Sequence, residues 1–397
     1  AAKGFSANGL NCGLNPNKEK NDLALIYSEK MCNAAAVYTT NKVKGAPILV
    51  TKKNLAASGN HAQAVIANSK NANTCNADGE EKAAKMCALA AEQLGISADN
   101  MIVASTGVIG QVLPIEPIET HIEQLAKGLA PEHHDRAANA IMTTDTFPKE
   151  YAVTFTAGGK KCTIGGMAKG SGMIHPNMAT TLNFVTTDAA ISQELLLEAL
   201  KADVEDTYNM ISVDGDTSTN DTCLLLANGE AGNAEISEKN EDYRKFAEAL
   251  NFVNTTLAKQ MAGDGEGATA LFEVKVIHAK DKEQAKVLSK SVITSNLTKA
   301  AIYGHDANWG RILCAMGYSG AVFDPEKVDL YFSSKNGEIK IIEDGVALDY
   351  SEEEATKILS AEAVTATADI KMGDASATAW GCDLTYDYVK INADYRS

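Results

Sequence analysis

The run Lys169-Gly-Ser-Gly-Met-Ile-His-Pro-Asn-Met-Ala-Thr-Thr-Leu182, KGSGMIHPNMATTL, sets two glycines and a proline ahead of a threonine pair. Directly behind it, LNFVTTD from Leu182 is rich in β-branched and aromatic residues and reads as a strand. An irregular segment entering a stiff strand has two readings. One is a surface loop that leads into the strand. The other is chemical. A threonine hydroxyl is a poor nucleophile without a base in reach, and cleaving the bond before it frees an α-amine, of pKa about 7.7 to 8, that serves as that base. Gly170, Gly172 and Pro176 permit and fix a bent approach, and the small Ala179 leaves room for attack on its own carbonyl. The β-branch of threonine restricts χ1, so a strand-ordered hydroxyl points in few directions. The local residues leave both readings open.

The totals bound what surrounds this run. A chain of 397 residues, 45% hydrophobic and 22% charged, folds around one large core or two ordinary ones. A net charge of -16 and a pI near 4.9 argue against nucleic acid and anionic membrane surfaces as partners. The eight cysteines are widely spaced, with no CxxC pair and no Cys/His spacing that gathers zinc, and read as free thiols. No metal is expected. The opening AAKGFSANGLNCGL has neither a basic segment nor an apolar core, so the sequence points to a cytosolic or organelle-matrix setting. No apolar run approaches the roughly 20 residues of a membrane span.

Outward from Leu182, strand signals recur at TCLLLANG from Thr222, ALFEVKVIHA from Ala270, VDLYFSS from Val328 and EIKIIEDG from Glu338. Two helices are clear. One starts near Asn240, carries Glu241 and Asp242 in its first turn, and repeats Phe246, Leu250, Val253 and Leu257 on one face; the other starts near Ser192 with Leu196, Leu200 and Val204. Strands separated by turns more often than by crossover helices predict an α+β fold with mixed or antiparallel sheets. The polar stretch AKDKEQ, Ala279 to Gln284, is either a domain boundary, dividing 1–280 from 281–397, or a helix start.

Three glycine clusters invite a nucleotide reading, and two fail it. In GGMAKGSG the lysine precedes the last glycines, whereas a Walker loop needs it after them. GDGEG, Gly263 to Gly267, follows a helix rather than a strand, so it lacks the setting that aims helix amides at a pyrophosphate. STGVIG, Ser105 to Gly110, follows the apolar run MIVA and is compatible with a simple turn. The serine-hydrolase elbow G-x-S-x-G is absent. His133 and His134, in PEHHDR, read as surface residues.

Taken whole, K-G-S-G-M-I-x-P-N-M-A-T closely resembles the self-cleavage segment of the ornithine acetyltransferases, the glutamate N-acetyltransferases of arginine biosynthesis. The resemblance extends through DLALIYSE (Asp22 to Glu29), YTTNKVKGAP (Tyr38 to Pro47), VASTGVIG with Leu113-Pro114, MTTDT (Met142 to Thr146), GDGEGATALFEV (Gly263 to Val274), DANWGRI (Asp306 to Ile312) and the terminal INADYRS, in order along nearly the whole chain.

The resemblance implies cleavage between Ala179 and Thr180 into chains 1–179 and 180–397, with Thr180 as nucleophile and its freed amine as base. Thr181 is then a strand residue; the Met-Ala-Thr order selects Thr180 over it. Thr106 and Gly107 match the oxyanion hole, where loss of one donor raises the barrier by about 2.7 to 4 kcal/mol. Substrate contacts carry over to Thr143, Lys169, Thr180, Glu266, Asn392 and Ser397. Lys169 suits a substrate carboxylate and Glu266 the ammonium end of ornithine; read without the resemblance, they are a loop charge and a turn carboxylate. The implied reaction is ping-pong: N-acetylornithine acetylates Thr180, and glutamate takes the acetyl group, with no cofactor. Some members of the family also accept acetyl-CoA. The implied fold is a layered α/β/β/α domain plus a smaller C-terminal α/β domain, assembled as a heterodimer of the two cleaved chains and as higher oligomers such as a heterotetramer. A related N-terminal-nucleophile aminopeptidase or amidohydrolase uses the same parts with water as acceptor. This chain departs from the family at Gly13-Leu14-Asn15, where Gly-Ile-Lys is common, at Lys70, where glycine is common, and at Ser397, where threonine also occurs.

Overall fold

The computed structural model describes residues 1–177 and 181–395. Eight strands form the first sheet: β1 (Phe5–Leu10), β2 (Leu23–Tyr38), β3 (His61–Asn68), β4 (Met101–Ser105), β5 (Lys149–Ala157), β6 (Lys160–Lys169), β7 (Leu182–Thr187) and β8 (Thr222–Ala227). Their order is β4-β3-β2-β8-β7-β6-β5, with β1 paired to β2. The β3–β4 and β7–β8 pairs are parallel and the others antiparallel.

This sheet folds back on itself, and β2 is the hinge. Its first part pairs with β1 and β3, its last part, Asn33–Tyr38, with β8, and the register against β3 jumps between Tyr27 and Cys32. Glu29, Lys30 and Met31 are exposed at that corner. In a flat sheet β4 and β8 would stand three strand spacings, roughly 14 Å, apart. Instead the Asn220 amide, just ahead of β8, donates to the Ser105 carbonyl at the end of β4 at 2.9 Å.

Alternating side chains fill the resulting layers. Ile26, Val65, Ala67, Ile102 and Ala104 from one half meet Met167, Phe184, Leu224 and Leu226 from the other in an inner core. On one outer face Leu23, Leu25, Ile66 and Val103 pack with Met86 and Ala90 of helix Gly79–Leu94 and with Ile118, Ile122 and Leu125 of helix Glu116–Lys127. On the other, Val185, Cys223 and Leu225 pack with Leu196, Leu200 and Val204 of helix Gln193–Asp206 and with Phe246, Leu250, Val253 and Leu257 of helix Glu241–Gly263. The order is therefore helix, sheet, sheet, helix, the α/β/β/α layering of the resemblance. TCLLLA of β8 is buried at every position, and its run of apolar residues from Cys223 to Ala227 reflects a strand covered on both faces. Each of those large aliphatic and aromatic side chains contributes about 1.5–3 kcal/mol on burial.

Both helices expected from the sequence start where their caps predict. The Asn240 side chain accepts from Tyr243 N at 3.0 Å and the Ser192 hydroxyl from Leu195 N at 3.4 Å. A second sheet holds β9 (Leu271–Ala279), β10 (Asp329–Ser334), β11 (Gly337–Glu343), β12 (Val346–Ala347), β13 (Ala363–Asp369) and β14 (Ala375–Cys382), in the order β12-β11-β10-β13-β9-β14. Its Phe272, Val274 and Trp380 share one continuous core with Phe246 and Leu257. In AKDKEQ, Asp281 caps helix Lys282–Ile293 by accepting from Gln284 N at 2.8 Å, so the stretch is a helix start; β9, immediately before it, belongs to the second sheet. All eight cysteines are free thiols, and burial pushes those of Cys32 and Cys87 up to about 12. Among the described residues no helix is long and apolar enough to cross a membrane.

Candidate active site

The fold brings strand ends together at one mouth of the sandwich. Lys169, the last residue of β6, lies opposite Leu182, the first of β7, and Leu182 lies beside Thr222, the first of β8. Thr181, expected within the strand, is the residue just ahead of it, although its carbonyl already accepts from Thr222 N at 2.7 Å. Across the inner core β4 ends at Ser105, and the chain turns through Thr106-Gly107. Gly107 has φ +137°, and a Cβ there would stand 2.2 Å from the Lys70 carbonyl carbon, so only glycine fits. Lys169 spans the two layers: its Nζ donates to Thr106 Oγ1 at 3.1 Å and to Thr143 Oγ1 at 2.9 Å.

Beneath this bridge lies a buried ionic triad. Lys149 Nζ sits 2.7 Å from both Asp145 Oδ2 and Asp264 Oδ2, with all three side chains at 5% exposure or less. Asp145 also accepts from Gly170 N at 2.8 Å, Asp264 accepts from Thr146 N at 2.9 Å, and Ser171 Oγ donates to the Asp264 carbonyl at 2.7 Å. Three motifs far apart in sequence, MTTDT, KGSG and GDGEG, are thereby fixed to one another. Burial alone would raise the Asp145 carboxyl, but the Lys169 and Lys149 ammonium groups outweigh it and hold the group below the usual range.

Glu266 follows helix Glu241–Gly263 by three residues and is buried. Its carboxylate accepts from Thr144 Oγ1 at 2.8 Å and from Asn392 Nδ2 at 2.5 Å. A side chain at Gly172 would place Cβ 2.2 Å from Glu266 Oε1, so that glycine makes room for the carboxylate. The last helix, Tyr386–Asn392, rests on the same mouth: Thr385 Oγ1 donates to the Gly267 carbonyl at 2.7 Å and Tyr388 OH to Asp214 Oδ2 at 3.0 Å. Asp214 also accepts from Met173 N at 2.8 Å and Ile174 N at 3.0 Å, and burial raises its carboxyl pKa.

These groups enclose a cavity of about 180 Å³ lined by Thr106, Gly107, Thr143, Lys169, Glu266 and Asn392. Drug-sized pockets run to roughly 300–1,000 Å³, so this one suits a small metabolite. Six of the site residues named from sequence thus converge on one space. Ala179, Thr180 and Ser397 lie outside the described residues. The histidines of PEHHDR are not part of it; His134 pairs with Glu150 at 2.6 Å. Sequence reading missed Asp145 and Asp264, which sit inside quoted motifs, and Asp214, Asp221 and Tyr388. The signal for Asp214 and Asp221 was the acid-rich polar run DGDTSTND, Asp214 to Asp221, directly ahead of β8. Asp221 is buried against the cavity, and burial raises its carboxyl far above the usual value, opposed by the Lys169 ammonium.

The fold is a layered α+β sandwich with a small, polar-lined cavity at one mouth. A sequence model of the ArgJ family matches residues 6–397, and the chain belongs to that family. It is 52% identical over 394 residues to the arginine biosynthesis bifunctional protein ArgJ 1 of Clostridium acetobutylicum, covering 99% of this chain and 96% of that one. It is 50% identical over 396 residues to the arginine biosynthesis bifunctional protein ArgJ of Caldanaerobacter subterraneus subsp. tengcongensis, covering 100% of this chain and 97% of that one. The crystal structure of the arginine biosynthesis bifunctional protein from Bacillus halodurans, 45% identical with a TM-score of 0.51, covers 53% of this chain and 97% of its own. The protein is accordingly an enzyme of arginine biosynthesis, an acyltransferase.

Proposed function

We propose that the chain cleaves itself between Ala179 and Thr180 and that Thr180 then carries acetyl from N-acetylornithine to glutamate. The observation that supports this reading best is the convergence of Thr106, Gly107, Thr143, Lys169, Glu266 and Asn392 on one cavity at the start of β7, the strand that Thr180 precedes by two residues. The proportions of the crystallised relative also favour it. That chain spans just over half of this one while matching nearly all of its own length, as a chain starting at Thr180 would.

In the proposed cycle the Thr180 hydroxyl attacks the acetyl carbonyl and its proton passes to the freed α-amine. The Thr106 hydroxyl and Gly107 N–H receive the oxyanion, the C–N bond breaks, and ornithine leaves with the proton. The glutamate amine then attacks the ester and restores the hydroxyl. Glu266 attracts the ammonium end of ornithine, Thr143 and Asn392 line the same space, and Ser397 supplies a terminal hydroxyl. Acetyl-CoA as a second donor is part of the proposal, in keeping with relatives named bifunctional. So is assembly of the two cleaved chains into a heterodimer and a heterotetramer.

Intact mass under denaturing conditions tests cleavage: fragments of 179 and 218 residues are expected, and a fully active, uncut chain of 397 would sink the proposal. Thr180→Ala is expected to block both cleavage and transfer, with Thr181→Ala leaving cleavage largely intact. Acetate release from N-acetylornithine that ignores added glutamate would instead assign a hydrolase.

A further inference from the structure

Lys169 makes two contacts whose direction is fixed by chemistry. An ammonium has three N–H donors and no lone pair, so at 2.9 Å and 3.1 Å both Thr143 Oγ1 and Thr106 Oγ1 must accept from it. Each hydroxyl proton is then left to donate elsewhere, and both threonines line the cavity. We infer that Lys169 is a positioning residue of the oxyanion hole: its ammonium, donating to the Thr106 oxygen, fixes that hydroxyl as a donor toward the reacting oxygen and strengthens its donation. The inference deepens the proposed acetyl transfer and rests on it. It also reassigns Lys169, two of whose donors are engaged by hydroxyls, from a counter-ion for the substrate carboxylate.

A donor that itself accepts from a cation is polarised, and the effect is larger in a site shielded from water. Lys169 is 6% exposed. The charges around it are Asp145, Asp221 and Glu266, which favour the ammonium, and Lys149, which with burial disfavours it; burial dominates and draws its pKa below the ordinary lysine value. On the alkaline side Lys169 therefore becomes a neutral amine earlier than a surface lysine. A neutral amine accepts the Thr106 proton and turns that hydroxyl away from the reaction. No atom is transferred to or from Lys169 in the cycle itself.

The test is a double-mutant cycle on acetyl transfer from N-acetylornithine to glutamate, using Lys169→Met, Thr106→Ala and the pair, with rates expressed per cleaved chain. Each single variant is expected to lose about a hundredfold in kcat with KM near the wild-type value, and the double variant to lose little more than the worse single. The Lys169→Met loss is expected to be equally large with the decarboxylated analogue of N-acetylornithine. A raised KM with kcat retained, multiplicative losses, or a loss that disappears on the analogue would overturn the inference and return Lys169 to carboxylate binding. Where a variant does not cleave, residues 1–179 carrying the substitution are co-produced with residues 180–397 so that the cycle is still read. Wild-type protein that transfers no acetyl group overturns the underlying reading as well, whereas wild-type transfer with multiplicative losses overturns this inference alone.

Discussion

Two buried lysines stand at the ends of neighbouring strands and do different work. Lys149 opens β5 and Lys169 closes β6, one residue beyond Ala168, which pairs with Lys149. Lys149 is fully buried and gripped by two carboxylates at 2.7 Å. Lys169 is nearly as buried, yet its hydrogen-bond partners among the described residues are two threonine hydroxyls. A cation neutralised at contact distance holds loops together and has little field left for a ligand. A cation whose contact partners are neutral oxygens keeps more of its field for whatever forms beside it, even with Asp145 near enough to feel it. Burial alone does not make a lysine functional; the charge of its immediate partners decides.

The largest expected effect lies on the structural side. Lys149→Met leaves the Asp145 and Asp264 carboxylates buried without their cation and is expected to cost about 3–5 kcal/mol in urea unfolding. Lys169→Met, which strands no carboxylate at contact distance, is expected to stay within about 1 kcal/mol of the wild type while losing activity. Equal stability losses would break the comparison.

Acid titration gives a smaller and sharper contrast. The folded-state pKa of Asp145 is depressed, so its stabilisation is present above the ordinary aspartate value of about 3.9 and is lost as pH falls through the folded value. Unfolding measured between roughly pH 5 and 2 should therefore show a shallower acid loss in Lys149→Met than in the wild type; an unchanged slope would show that Lys149 does not hold Asp145 ionised. The smallest effect has the opposite sign. Asp221 is raised in the folded state, so its stabilisation is complete below about pH 3.9 and is lost as pH rises. Asp221→Asn removes that loss, and its stability relative to the wild type should climb as pH rises above about 4. A constant difference would mean that Asp221 is ionised in the fold.

Much of the architecture was legible from local pattern. The caps Asn240 and Ser192 and the apolar stripes behind them located two helices, and β7 to β11 begin within a residue or two of where their apolar runs begin. The fold-back of the first sheet was hidden, because it depends on a register jump within a single strand between Tyr27 and Cys32, and register is a property of the partner strand. At the site, the motifs carried Thr106, Thr143, Lys169 and Glu266, but not the partnership of Asp145 and Asp264. Those two residues are 119 positions apart and meet through Lys149, whose own neighbours in sequence say nothing about burial. Lys70 is a residue where both levels agree. It stands where the resemblance implies glycine and adopts φ +74°, the left-handed conformation that glycine takes most easily, against the close approach of Gly107.

What the sequence determined by itself is what short-range chemistry controls: helix starts, strand runs, the order of motifs, and the family those motifs define. What only the tertiary structure decided is the identity of each polar group's partner, and with it which of two similar lysines is neutralised and which keeps its field. The reason is that capping and periodicity act over a few residues along the chain. Charge and hydrogen bonding act over a few ångströms in space, and only the folded layers bring residues more than a hundred positions apart within that distance.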